Sequence, residues 1–240
     1  MYWIGYTTLY RDGGAELTRA AETLARGLLA RGVPASQIVC ERIESKRDFV
    51  DAMSRVAAVG RLRELHFLGH SGMYGPMFRT TAMPEQFSPH EWRTLALPFA
   101  PDGEAFFHAC RTARWFAPFF ARTFGVPASG FHWYTTFSSR PDRFAWEGPE
   151  WLRSRESPLY LIGCEGKKSH GLVVGSVLKY LGRGAEVMKR FEPAPVQGDA
   201  TYDSVAELYD GVFQDIKVRK DEWRGLNKHF PAAAPSGGKP

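Results

Sequence analysis

Short apolar runs alternate along this chain with longer segments whose apolar positions recur at helical spacing. Residues 2–8 read as a first strand, broken at Gly13-Gly14. Over 15–31, Leu17, Ala20, Ala21, Leu24 and Leu28 fall on one face of a helix. Gly32 and Pro34 then stop it. Residues 37–43 read as a second strand, and 48–59 as a second helix with Asp48 or Ser45 as its cap. Residues 62–68 form a third strand ending just before His70. A long connection follows, with Gly75-Pro76 and a short helix opening near Ser88, where Pro89 occupies the first turn. Residues 105–109 are a fourth strand ending at Cys110, followed by a helix over 114–124 that Pro118 is expected to kink and Gly125 to stop. An aromatic strand over 129–137, a sixth over 159–163, a helix over 171–181 and a last strand over 186–191 complete the pattern.

Strands alternating with helices predict an α/β fold, a mostly parallel six-stranded sheet covered on both faces. The chain divides into an α/β domain over 1–192, a Pro-rich linker over 193–201, a helical appendage over 202–230 and a disordered Ala/Pro/Gly/Ser tail over 231–240.

Composition narrows the function classes. Apolar residues make up 44% and charged residues 24%, which is ordinary for a folded domain. The net charge of +5 is scattered rather than gathered into a stripe, so nothing points to nucleic acid. No apolar stretch reaches the length of about 20 residues needed to cross a bilayer, so no membrane partner is expected. Three cysteines are an odd count, which argues against a disulfide framework and fits a reducing cytoplasm.

The candidate chemistry sits at two strand ends. One run, Leu65-His66-Phe67-Leu68-Gly69-His70-Ser71-Gly72, delivers a histidine; another, Ala105-Phe106-Phe107-His108-Ala109-Cys110-Arg111, delivers a cysteine. In a parallel sheet, chemistry collects outside the carboxyl ends of the strands. If the runs are neighbours, the Cys110 thiol and the His70 imidazole form a nucleophile and its base. Cys110 is read as opening the following helix, whose positive end favours the thiolate. Backbone N–H groups of Cys110 and of Ser71 or Gly72 are candidate oxyanion donors, and Gly72 leaves room for substrate.

These two blocks resemble those of the caspase-like (clan CD) cysteine peptidases, which include caspases, metacaspases, gingipains and CHAT domains. In that clan one hydrophobic strand ends in His-Gly and the next core strand ends in Ala-Cys. Leu68-Gly69-His70 and His108-Ala109-Cys110-Arg111 fill those places over a likeness spanning about residues 1–190. The resemblance implies a three-layer caspase-like fold and a Cys-His dyad hydrolysing peptide bonds through an acyl-enzyme, with no cofactor and no metal. It also makes the strand containing Thr135 and Thr136, with the loop to Trp146, a substrate-binding stretch. Glu147 stands where caspases carry an arginine, which implies a preference for a basic side chain. Ser71, inserted between His70 and Gly72, departs from the clan's His-Gly pair.

Other readings compete. Ser71 sits in a partial Gly-x-Ser-x-Gly pattern, broken because Met73 occupies the second glycine's place, so a serine hydrolase with His132 or His170 as base is one alternative. His70, His108 and Cys110 offer three metal-ligand types, although core histidines are the preferred reading of His66 and His108. A catalytically inactive interaction module is a third. Residues 202–223 resemble the leading helices of class I methyltransferases, which cap a methyl-donor pocket. No donor-binding strand follows them, so the likeness implies at most a docking element for a protein partner.

Overall fold

The computed structural model describes residues 1–8, 14–72, 74–79, 84–132, 134–138, 158–164, 185–186 and 188–193. Strand β1 (Tyr2–Tyr6) leads to helix α1 (Ala15–Ala30), then β2 (Ile38–Arg42), α2 (Lys46–Val59) and β3 (Leu62–Leu68). A small meander follows, made of β4 (His70–Gly72), β5 (Gly75–Arg79) and β6 (Pro84–Glu85). Next come α3 (Pro89–Thr94), β7 (Phe99–His108), α4 (Phe116–Phe124) and β8 (Ala128–Gly130). The remaining strands are β9 (Tyr134–Ser138), β10 (Tyr160–Cys164), β11 (Ala185–Glu186) and β12 (Lys189–Phe191).

The fold is mixed α/β around a six-stranded sheet in the order β12-β8-β7-β3-β1-β2. Every pairing in it is parallel except β12 with β8. Neighbouring residues on each strand serve opposite faces. Trp3, Leu65, Phe67, Ala105 and Phe107 pack with Phe49, Ala52, Met53 and Val56 of α2 and Phe116 and Phe120 of α4. Ile4 and Leu68 pack with Leu17, Ala20, Ala21 and Leu28 of α1. The first cluster is dense in rings: Trp92 of α3 lies 5.6 Å from Phe49 and 5.1 Å from Phe116, centroid to centroid. Each such aromatic contributes about 1.5–3 kcal/mol by burial.

Helix starts follow local chemistry. The Ser45 side chain accepts the Asp48 N–H and caps α2. Ser88 and Glu91 form a reciprocal capping box on α3, with Pro89 in its first turn. Pro118 falls in the first turn of α4, where its missing N–H has no helical acceptor to lose.

Three expectations are corrected. The sheet does have six strands, but the run 159–163 is not one of them. It forms β10, which pairs antiparallel with β9 and β11 in a separate three-stranded sheet, and β12 takes the sixth place. The aromatic run 129–137 is not one strand: β8 stays in the main sheet and β9 leaves it. Cys110 does not open a helix. Turns occupy 110–115, and α4 is first capped at Trp115. The helix expected at 171–181, nearly all of the linker over 193–201, the appendage over 202–230 and the tail over 231–240 lie outside the described residues. Among the described residues, no helix is long and apolar enough to cross a membrane.

Candidate active site

β3 and β7 are adjacent and parallel, with Glu64 opposite Glu104 and each following pair in step up to Leu68 opposite His108. The ladder closes with the Gly69 N–H donating to the His108 carbonyl at 3.4 Å. His70 and Cys110 therefore stand the same two residues beyond the last pair, on neighbouring chains. Gly69 makes this exit possible: a Cβ there would lie 2.6 Å from Thr7 Oγ1 and 3.0 Å from the Phe67 ring.

Both side chains open into a cleft of about 380 Å³. Gly14, Glu16 and Leu17 of α1 form one wall, and Thr135, Thr136 and Phe137 of β9 form another. His70 and Cys110 are each partly buried. The helix end at this cleft is thus the amino terminus of α1, not that of α4. Gly14 caps α1 in the left-handed region at φ 59° and carries no side chain to satisfy the first N–H groups. Gly14, one of the glycines that break the first strand in the sequence, lies in this wall.

Cys110 is held at both ends. Its sulfur accepts the Thr135 N–H at 3.2 Å and lies 3.3 Å from Thr135 Oγ1. Its carbonyl accepts the Ser71 hydroxyl. The next residue, Arg111, sits at φ 63°, an uncommon place for a side chain other than glycine. The turn after it is tied down by the buried Thr112 hydroxyl, which lies 3.1 Å from the Ala109 carbonyl and accepts the Phe131 N–H at 3.3 Å.

The structure brings together His70, Cys110, Thr135 and Thr136. Ser71 and Gly72 lie beside them on β4, where they pair with Pro76 and Gly75 of β5. A Cβ at Gly72 would meet the Gln86 side chain at 2.7 Å, and Gln86 Nε2 donates to the Gly75 carbonyl at 2.7 Å. The small residue admits Gln86, which braces the hairpin. Trp146, Glu147 and His170 lie outside the described residues. The roles of Glu16 and Gln86 had no motif to mark them.

A second polar cluster runs beneath the cleft, on the α1 face of the sheet. Arg31 bonds Glu64 at 2.8 Å, Glu64 Oε2 lies 2.8 Å from His66 Nε2, and His66 Nδ1 lies 3.1 Å from His108 Nε2. With both rings neutral, His66 donates to Glu64 and accepts from His108. Burial pushes both histidines down, His108 to about 3 with help from His66. Burial alone would raise Glu64, but hydrogen bonds from His66 and Arg31 outweigh it and hold its carboxyl below the ordinary value. The His108 ring is thus engaged with His66. Among the described residues, no three His, Cys, Asp or Glu side chains gather closely enough to hold a metal.

Ser71 donates its hydroxyl to the Cys110 carbonyl, in the turn that follows β7. His132 is half-buried; burial and the nearby Arg114, Lys189 and Arg111 push its ring down to about 4. No family model matches the chain, and no curated protein or solved structure matches it either.

Proposed function

We propose that this protein is a cysteine endopeptidase of caspase-like, three-layer architecture, acting on a peptide or protein substrate. The observation that carries the reading is the equivalent placement of His70 and Cys110 at the ends of adjacent parallel strands, facing one cleft. His70 takes the thiol proton as the sulfur attacks the scissile carbonyl carbon, and then returns it to the leaving amine. Water, activated by the same imidazole, hydrolyses the resulting acyl-enzyme. Backbone N–H groups of Cys110 and of Ser71 or Gly72 receive the oxyanion. Thr135 and Thr136 line the cleft, and we assign Trp146 and Glu147 a substrate-binding role with a preference for a basic side chain. The dyad requires neither metal nor organic cofactor. Residues 202–230 offer a docking element for a protein partner, and the cytoplasm is the compartment in which the thiol stays reduced.

The serine alternative draws less support, because the Ser71 hydroxyl is committed to the Cys110 carbonyl. The inactive-module alternative shares every geometric feature and differs only in turnover. A fluorogenic peptide library incubated with the wild-type chain, Cys110→Ser and Ser71→Ala separates the three. Cleavage lost in Cys110→Ser alone supports the peptidase. Cleavage that survives Cys110→Ser but not Ser71→Ala overturns it in favour of the hydroxyl. No cleavage by the wild-type chain favours the module.

A further inference from the structure

We propose that Thr135 is a positioning residue for the Cys110 sulfur, holding it through backbone N–H and side-chain hydroxyl in both of its protonation states. The two contacts come from one residue and reach one atom, at 3.2 Å from the nitrogen and 3.3 Å from Oγ1. Thr135 lies opposite Gly163 in the β9–β10 ladder. Because its N–H goes to the sulfur, that N–H is turned away from β10, toward the cleft. The outer edge of a strand normally presents such groups to solvent or to another chain. Here one of them goes to a cysteine in the turn that follows β7.

The hydroxyl makes the arrangement work in both states. A hydroxyl both donates and accepts, and its proton rotates to suit its neighbour. When the sulfur carries its proton, S–H donates to Oγ1. When the proton leaves for His70, the hydroxyl turns and donates to the sulfur, which then accepts two hydrogen bonds. Donors aimed at a thiolate favour that form. Ser71 bonds the Cys110 carbonyl and so holds the backbone that carries the sulfur. Thr135 lines the cleft and at the same time contacts the nucleophile. This inference rests on Cys110 being the reactive thiol of the proposed dyad, but not on peptide cleavage.

The test is alkylation of the full chain by iodoacetamide between pH 5 and 9, followed at Cys110 by peptide mass spectrometry. Cys40 serves as the internal reference, since burial and the neighbouring Glu22 and Glu41 push its thiol up to about 11 and keep it slow. The variants are Thr135→Val, which keeps the shape and the N–H, Thr135→Ala, and Thr135→Ser, which restores the hydroxyl. The expected result is a rate at Cys110 about fivefold lower at pH 7 in the Val and Ala variants, with the profile displaced to higher pH. Thr135→Ser follows the wild type, and Cys40 stays unchanged throughout. Superposable profiles for wild type, Val and Ala would overturn the proposal. So would an equal change in Thr135→Ser, or a rise at Cys40 in parallel with Cys110, which reports loosening of the fold. Alkylation needs no peptide, so an inert peptide assay with an intact Thr135 effect would sink only the peptidase reading.

Discussion

His70 and Cys110 extend the register of two neighbouring parallel strands: each stands two residues past the Leu68–His108 pair. Both residues line one cleft together with Gly14, Glu16 and Leu17 at the start of α1. Removing the base should then cost more than removing any other cleft side chain apart from the sulfur. His70→Ala is expected to lower kcat/KM by about 10²–10⁴ on whichever peptide the wild type cleaves, with the melting temperature little changed. Equal activity of this variant would show that the proton goes elsewhere.

Ser71 follows His70 on β4, and its hydroxyl supports the backbone of Cys110. Ser71→Ala leaves the Cys110 carbonyl without that donor. The expected loss is about three- to tenfold in kcat, with KM unchanged, corresponding to about 1 kcal/mol of lost positioning. Ser71→Thr, which keeps the hydroxyl, should recover most of it. A rise in KM alone would instead mark Ser71 as a substrate contact.

The strand ends were legible because their chemistry is local. The run over 62–68 and the small residue after it announce a buried strand and a tight exit, and β3 ends where expected. Helix caps were legible for the same reason, since Ser45 and Ser88 act within one turn of themselves. What the residues did not disclose depends on partners far along the chain. Nothing in 159–163 marks it for a second sheet. That placement follows from antiparallel pairing with β9 and from the Leu159 N–H donating to Thr23 Oγ1 of α1 at 3.0 Å. The hold of Thr135 on the sulfur was hidden for the same reason, because it joins two sheets whose association leaves no periodic trace.

Gly69 gives a stability prediction with an internal control. The space its Cβ would need is taken by Thr7 Oγ1 at 2.6 Å and by the Phe67 ring at 3.0 Å. Gly69→Ala should destabilise the fold by about 1–3 kcal/mol in urea denaturation. Thr7→Ala in the same chain removes the closer obstacle and should return part of that loss. If the two changes simply add, the crowding is not with Thr7.

The buried histidine pair sets a pH dependence whose sign follows from its protons. Burial and the neighbouring His66 hold His108 down at about 3, against an ordinary histidine value near 6.5. Below about pH 6.5 the unfolded chain binds a proton at this residue that the folded chain refuses. Stability therefore rises with pH across this window, and falls as the medium is acidified from about 6.5 toward 3. At pH 5 the expected loss from His108 is about 2 kcal/mol relative to pH 7.5. His66, held down by burial although Glu64 opposes it, adds in the same direction. Urea midpoints measured from pH 7.5 to 5 should decline for the wild type, and the decline should be shallower in His108→Phe, which keeps a ring in place but takes up no proton. Should His108→Phe follow the wild-type slope, the acid sensitivity lies in other groups and the pair is not what resists protonation.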